Sequence, residues 1–313
     1  MSTSFPGTAA DLTDDFVLRK CDYFITTQLW PLRAEMNPRL WLANFKDYEA
    51  RYARYLLNAV IYLSAAVTER LLISTIQHLS TVLCPPYDDP AKARERWTQF
   101  AETAHIVLVS GERPRPTDSG YMFTRMARDV LNVPEDRIHD GAEAIAILLA
   151  SPEAPVIFVD DFVGSGNQFR DTWNRPFPMG GSSTTFADLA TRHTGPFFYC
   201  PLVATEHGMT QLGHVAPAVK VMPGYFLPER YSIFHPDSLT WPDDLKAGVS
   251  DFVWEASQRA GIPDTNGGEN DWRGFHKLGL TLAFAHSVPD ATIPLLWWNS
   301  ETWNPLKSRP QTA

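Results

Sequence analysis

Two adjacent carboxylates and a short glycine loop share one segment, Val156-Ile157-Phe158-Val159-Asp160-Asp161-Phe162-Val163-Gly164-Ser165-Gly166-Asn167-Gln168-Phe169. The four apolar residues that open it predict a buried strand. Asp160 and Asp161 are expected at its carboxyl end, where open α/β sheets bind ligands. Neighbouring carboxylates can accept hydrogen bonds from the vicinal hydroxyls of a ribose. Gly164, Ser165, Gly166, Asn167 and Gln168 then lead into a helix expected to begin near Asn167. Backbone N–H groups in such a loop, with a helix N-terminus behind them, form an anion site suited to a phosphate. Gly164 and Gly166 permit positive φ and close backbone approach. One loop can therefore hold a sugar phosphate by both ends. The plainer alternative is a strand-to-turn junction capped by an aspartate.

Three other places carry reactive or recognition chemistry. Ser110-Gly111-Glu112-Arg113-Pro114-Arg115-Pro116-Thr117-Asp118-Ser119-Gly120 is a polar loop. Arg113 and Arg115 offer forked donors to phosphate, and Asp118, Ser119 and Gly120 stand at the entry to a helix. The alternative is a surface loop stiffened by proline. Glu206-His207 follow a predicted strand, a position suited to general acid–base work or to a structural histidine. The tail carries Trp297, Trp298 and Trp303, then Lys307 and Arg309. Indole planes can stack on a base and the cations can face phosphate; otherwise the tail folds across the core or forms an oligomer interface.

The elements that must position these groups can be read from periodicity. The first hundred residues read as helical: one segment from Asp14-Asp15 to about Leu32, another from Pro38 through Leu40 to Tyr62. Phe45, Tyr48, Tyr52, Tyr55 and Leu56 line an apolar face, with Arg51 and Arg54 interleaved. That face is expected to pack with its arginines snorkelling, against the alternative of an RNA-binding stripe. Leu56 to Ile76 is the most apolar stretch, and its Asn58, Thr68, Glu69 and Arg70 make it a buried helix rather than a membrane span. Residues 84–90 (CPPYDDP) form a turn-rich break before a helix from Ala91 to Thr103. Strands follow at His105–Val109, Arg137-Ile138, Val156–Val159, Phe197–Thr205 and Ala218–Met222, with helices at Tyr121–Leu131 and Ala142–Ala150. Apolar strands alternating with helices predict an α/β fold, a mostly parallel sheet flanked by helices. The expected division is a helical N-terminal region, 1–103, and an α/β domain with a Trp-rich C-terminal extension, 104–313. Met179–Thr185 and Asp264–Asp271 are expected to be flexible loops.

Composition limits the function. The 313 residues are 44% hydrophobic and 20% charged, with a net charge of −9. Such a chain is globular, and its bulk charge argues against nucleic-acid binding. Cys21, Cys84 and Cys200 are too dispersed for a zinc site and fit a reducing compartment. The N-terminus has neither a basic nor an apolar leader segment, so a cytoplasmic location without membrane attachment is expected.

The strand, acid pair and small-residue loop resemble the ribose-phosphate motif of type I phosphoribosyltransferases. The resemblance implies that Asp160 and Asp161 orient the ribose hydroxyls and help to place Mg²⁺, directly or through water. It implies that residues Gly164 to Gln168 hold the 5-phosphate, and that Arg113 or Arg115 stabilises departing pyrophosphate. The tail or the N-terminal helices would form the hood that selects the acceptor. Many members carry threonine where this loop has Gly164, Ser165 and Asn167. Purine-using members carry an acid at the position of Gly164, so simple purine salvage is disfavoured. The strings VIFVDDFVGSGNQF, PTDSG and IPLLWWNSETWNPLKSR are together similar to the phosphoribosyltransferase-like effectors of bacterial anti-phage conflict systems, over roughly residues 100 to 310. That likeness implies binding of PRPP or a nucleotide, and a defence partner such as a reverse transcriptase ribonucleoprotein. The alternative is a catalytically inactive nucleotide-sensing or scaffold subunit. Oligomeric state and acceptor are left open.

Overall fold

The computed structural model describes residues 11–84, 89–109 and 119–309. They fall into two compact units, one made of Met1–Ala65 with Arg230–Ala313, the other of Ala66–Glu229. The boundary expected between residues 103 and 104 is therefore drawn elsewhere: residues 66–103 belong with the sheet, and the tail belongs with the N-terminal helices.

The first unit opens with α1 (Asp14–Thr26), α2 (Pro38–Leu42), α3 (Ala50–Asn58) and the short strand β1 (Ile61–Leu63). Thr13, not Asp14, caps α1, its hydroxyl accepting from the Phe16 N–H. The helix stops at Thr26 rather than Leu32. The Thr26 and Thr27 hydroxyls donate to the Asp22 and Tyr23 carbonyls, and Gln28 takes a positive φ of 59°. The long helix expected from Leu40 to Tyr62 is broken after Leu42. Nor is Leu56–Ile76 one helix. After Asn58 the chain pairs as β1 with a strand of residues 282–284, Ile61 facing Leu282. Arg51 is engaged by Asp11 and Asp244, and Arg54 by Asp14, so the aromatic face carries no basic stripe.

The second unit runs through α4 (Ala65–His78), α5 (Ser80–Leu83), α6 (Pro90–Thr103), β2 (His105–Leu108), α7 (Ser119–Asp129), β3 (Ile138–His139), α8 (Gly141–Ala150), β4 (Val156–Val163), α9 (Asn167–Asn174), β5 (Phe177–Met179), β6 (Ser182–Thr184), α10 (Phe186–Ala190), β7 (Phe197–Thr205), α11 (Glu206–Val215), β8 (Val219–Val221) and β9 (Tyr225–Leu227). The expected parallel sheet has the order β3-β2-β4-β7-β8, and β9 extends beside the far half of β7. Every pairing in it is parallel. Its central strands, β4 and β7, are apolar enough to be covered on both faces. One face is an aromatic pack of Phe158, Phe169, Trp173, Phe186, Phe197 and Tyr199. Phe169 lies on Tyr199 with centroids 4.1 Å apart, and Phe158 meets Phe186 at 5.0 Å. Truncating any one of these rings to alanine costs about 3–5 kcal/mol. Residues 179–185, expected to be a flexible loop, instead supply the turn and second strand of the β5–β6 hairpin and, at Thr185, the cap of α10. Gly180 and Gly181, at φ 55° and 99°, supply the two left-handed residues that a tight hairpin turn requires.

The chain then returns to the first unit with α12 (Asp243–Lys246), α13 (Val249–Ala260) and β10 (Leu282–Phe284). Its core joins Trp41, Leu56, Phe252, Val253, Ile293, Leu295 and Trp303. Trp41 and Trp303 both donate their indole N–H to the Leu295 carbonyl, at 2.7 and 3.0 Å. Buried Glu49 is clamped by the Arg259 guanidinium at 2.8 and 2.6 Å. The second expected flexible loop, Asp264–Asp271, is pinned by Asp271, which has no exposed surface. Its carboxylate takes the N–H groups of Thr265, Gly267 and Arg273.

Candidate functional site

The site is built where β2 runs out. β2 pairs with β4 only as far as Leu108 opposite Val159. β7 keeps pairing with β4 through Val163. β4 thus extends past its neighbour on one side, and the two aspartates lie inside this extension rather than in a loop after it. Apolar Phe162 and Val163 carry the strand beyond them.

The two carboxyls are not equivalent. Asp160 is 2% exposed. Its Oδ2 accepts from the Tyr199 hydroxyl at 2.9 Å, and its Oδ1 from the Asp161 N–H at 2.9 Å. Burial, then the adjacent Asp161 charge, push this carboxyl well above the usual range. The Tyr199 hydrogen bond opposes that, and a hydrogen bond between the two carboxyls adds to it. Burial, then the Asp160 charge, push the Tyr199 phenol up, keeping it a donor. Asp161 is partly exposed and is the member of the pair that a ligand can reach.

The loop that follows turns at Gly166, which takes φ 79° and caps α9. Ser165 accepts from the Asn167 N–H at 3.3 Å. Ser165 and Asn167 are partly exposed, and Gln168 is exposed. A second helix starts at the same place. Thr205 ends β7 and caps α11. Its hydroxyl donates to the Gly164 carbonyl at 2.6 Å and accepts from the Gly208 N–H at 3.0 Å. Sequence reasoning passed over Thr205 and Gly208. A threonine followed three residues later by glycine after an apolar run was the available signal.

A family model described as PRTase-CE matches residues 38–309. The chain belongs to the PRTase-CE family. Membership makes it phosphoribosyltransferase-like, a transferase class, and agrees with the α/β fold. The PRTase-CE match begins at Pro38, so it takes in α2 and α3 as well as the sheet. No curated protein matches the chain.

The remaining candidates of this PRTase-CE chain divide into three groups. Glu206 and His207 open α11 beside the glycine loop; Glu206 is exposed and accepts from the Glu229 N–H at 3.1 Å. The tryptophans are not a free stacking platform. Trp303 is 1% exposed and Trp297 7%, and the Trp297 indole donates to the Thr292 carbonyl. Trp298 is half-buried. Lys307 is buried with its ammonium on the Ala285 carbonyl, and Arg309 pairs with Asp290 over the Trp297 ring. The tail thus closes a core, the plainer of the readings open to it. Arg113, Arg115 and Asp118 lie outside the described residues. Ser119 and Gly120 open α7.

A divalent cation has few ligands here. Among the described residues no group of three or more His, Cys, Asp or Glu side chains gathers to hold one. Both Asp160 oxygens are already bonded. Of the acid pair Asp161 is the more exposed, so among the described residues Mg²⁺ fits as an ion held chiefly by water and substrate phosphate, a common arrangement for this metal.

Proposed function

We propose that the chain binds a ribose 5-phosphate group, as PRPP or a nucleotide, and catalyses transfer or cleavage at the anomeric carbon. The observation that carries this reading is the extended end of β4. It presents one accessible carboxylate, then a glycine loop at which two helices begin. Asp161 accepts from the ribose hydroxyls. The Ser165 and Gly166 N–H groups, with the α9 N-terminus behind them, hold the 5-phosphate. The transition state develops positive charge on the ribose ring, so fixed geometry and a nearby carboxylate lower its energy. Bound Mg²⁺ would screen the charge of a pyrophosphate. Arg113 and Arg115 are proposed to meet the same leaving group. Family membership supports the transferase class, and the resemblance to conflict-system effectors supports a defence role with a partner ribonucleoprotein.

A second reading has its own observation. Asp160 is buried against Tyr199, so of the two motif acids only Asp161 has appreciable exposed surface. A binding module that senses nucleotide without turnover needs no more. Saturable binding with no product after hours of incubation selects that reading.

The test is calorimetric titration with PRPP and Mg²⁺. Asp161→Asn should weaken binding at least about tenfold, the scale of one charged hydrogen bond. Asp160→Asn changes a buried side chain that faces Tyr199 and should retain most of the affinity. Absence of binding by folded wild-type protein, or equal loss in both variants, refutes this site.

A further inference from the structure

Thr205 has two hydrogen bonds with different consequences. As acceptor from the Gly208 N–H it caps α11. As donor to the Gly164 carbonyl it reaches 41 residues back along the chain, at 2.6 Å. Thr205 is 4% exposed, so neither bond is exchanged readily for water. A peptide unit is planar, with its C=O and N–H antiparallel. Holding the Gly164 carbonyl toward α11 therefore turns the Ser165 N–H the opposite way, out of the loop. Gly208 completes the contact. A Cβ there would stand 2.7 Å from the Gly164 oxygen and 2.7 Å from the Val163 side chain. Only glycine lets the first turn of α11 press against the loop backbone. Gly166 is restricted from the same helix: a Cβ would lie 3.3 Å from Leu212, and its φ is already +79°.

We propose that Thr205 and Gly208 are positioning residues for the phosphate loop: α11 is the strut that aims the Ser165 N–H at the ligand's phosphate. The inference rests on the reading of that loop given above. It separates two roles of one threonine, since capping stabilises a helix and the Gly164 bond orients an anion site.

The experiment is titration of ribose 5-phosphate and of PRPP with Mg²⁺ into the full chain, with thermal melts alongside. Thr205→Val keeps the shape and loses both bonds, so it should melt lower and bind at least about tenfold more weakly. Thr205→Ser restores the hydroxyl and should restore affinity. Thr185→Val removes a similar cap from α10, where Thr185 accepts from the Asp188 N–H, and should melt lower with affinity unchanged. Should Thr205→Val not fold, Gly208→Ala carries the test, because its methyl displaces the Gly164 carbonyl while the hydroxyl remains; a similar loss of affinity is expected. Wild-type affinity in folded Thr205→Val, or in Gly208→Ala where Thr205→Val does not fold, overturns the strut and leaves the loop reading intact. Failure of the wild-type protein to bind either probe overturns the loop reading and the strut with it.

Discussion

Asp271 has no contact with solvent, yet it is held as a carboxylate. Burial alone would push it up. The Arg273 guanidinium and the Gly267 and Arg273 N–H groups outweigh burial and bring it to about 2. Its ordinary value is 3.8, so its contribution is complete above that pH and vanishes as pH falls through about 2. The linked stabilisation is about 2 kcal/mol. Asp271→Asn should therefore unfold at lower urea at neutral pH, and its deficit should shrink between pH 4 and pH 2. A deficit constant across that range would contradict the assignment. At this scale the sequence was a good guide to residue type and a poor one to environment. The acid pair and glycine loop were legible because their chemistry lies in consecutive residues. The burial of Asp160 was not, because Tyr199 lies 39 residues away and joins it only through strand pairing. The burial of Trp297 and Trp303 was one of the readings open to the tail, and their indoles bond to carbonyls only 5 and 8 residues away.

Elements with a strong period were legible, and elements defined by a partner were not. β2, β4 and β7 appeared as apolar runs. β1 did not, because its three residues are a strand only through pairing with β10. β9 was missed likewise; its Tyr225 and Phe226 are 45% and 44% exposed beside β7. The hairpin of β5 and β6 was read as loose because its two glycines were weighed without the strands that they join. The edge strand β3 shows how little pairing suffices when side chains assist. It meets β2 at only two positions, Ile106↔Ile138 and Val107↔His139. His105 Nδ1 and His139 Nε2 stand 2.9 Å apart across it. Burial, then the His139 and Arg137 charges, lower His105, with Asp136 opposing. Burial lowers His139, against Glu143, Asp136 and Asp140. A histidine lowered in the folded state from 6.5 costs stability as pH falls through that value. The wild-type melting temperature should drop between pH 7.5 and 5.5. His105→Gln, which keeps a hydrogen-bonding group, should reduce that slope; an unchanged slope would assign the loss to other groups.

At the scale of the molecule, the division into units was not legible, because composition does not change at residues 65 or 230. The sheet-bearing unit is one continuous stretch, Ala66–Glu229, with its own aromatic pack. A chain of residues 66–229 alone should fold, giving a cooperative thermal transition and dispersed amide resonances. A molten fragment without a transition would show that its core is incomplete without the rest. The first unit is made from both ends of the sequence and has no such continuity. The family match from residue 38 to 309 covers both parts of that core. Among the described residues no helix is long and apolar enough to cross a membrane.

The indole of Trp41 finds its acceptor 254 residues later, at Leu295. During translation at about 5–20 residues per second, that partner leaves the ribosome roughly 13–50 s after the tryptophan does. For that interval Trp41, Leu56 and Leu57 lack the later half of their core, while the 66–229 segment is made and completed before it arrives. The apolar face around Trp41 therefore stays uncovered until the segment from Ile293 to Trp303 has been made.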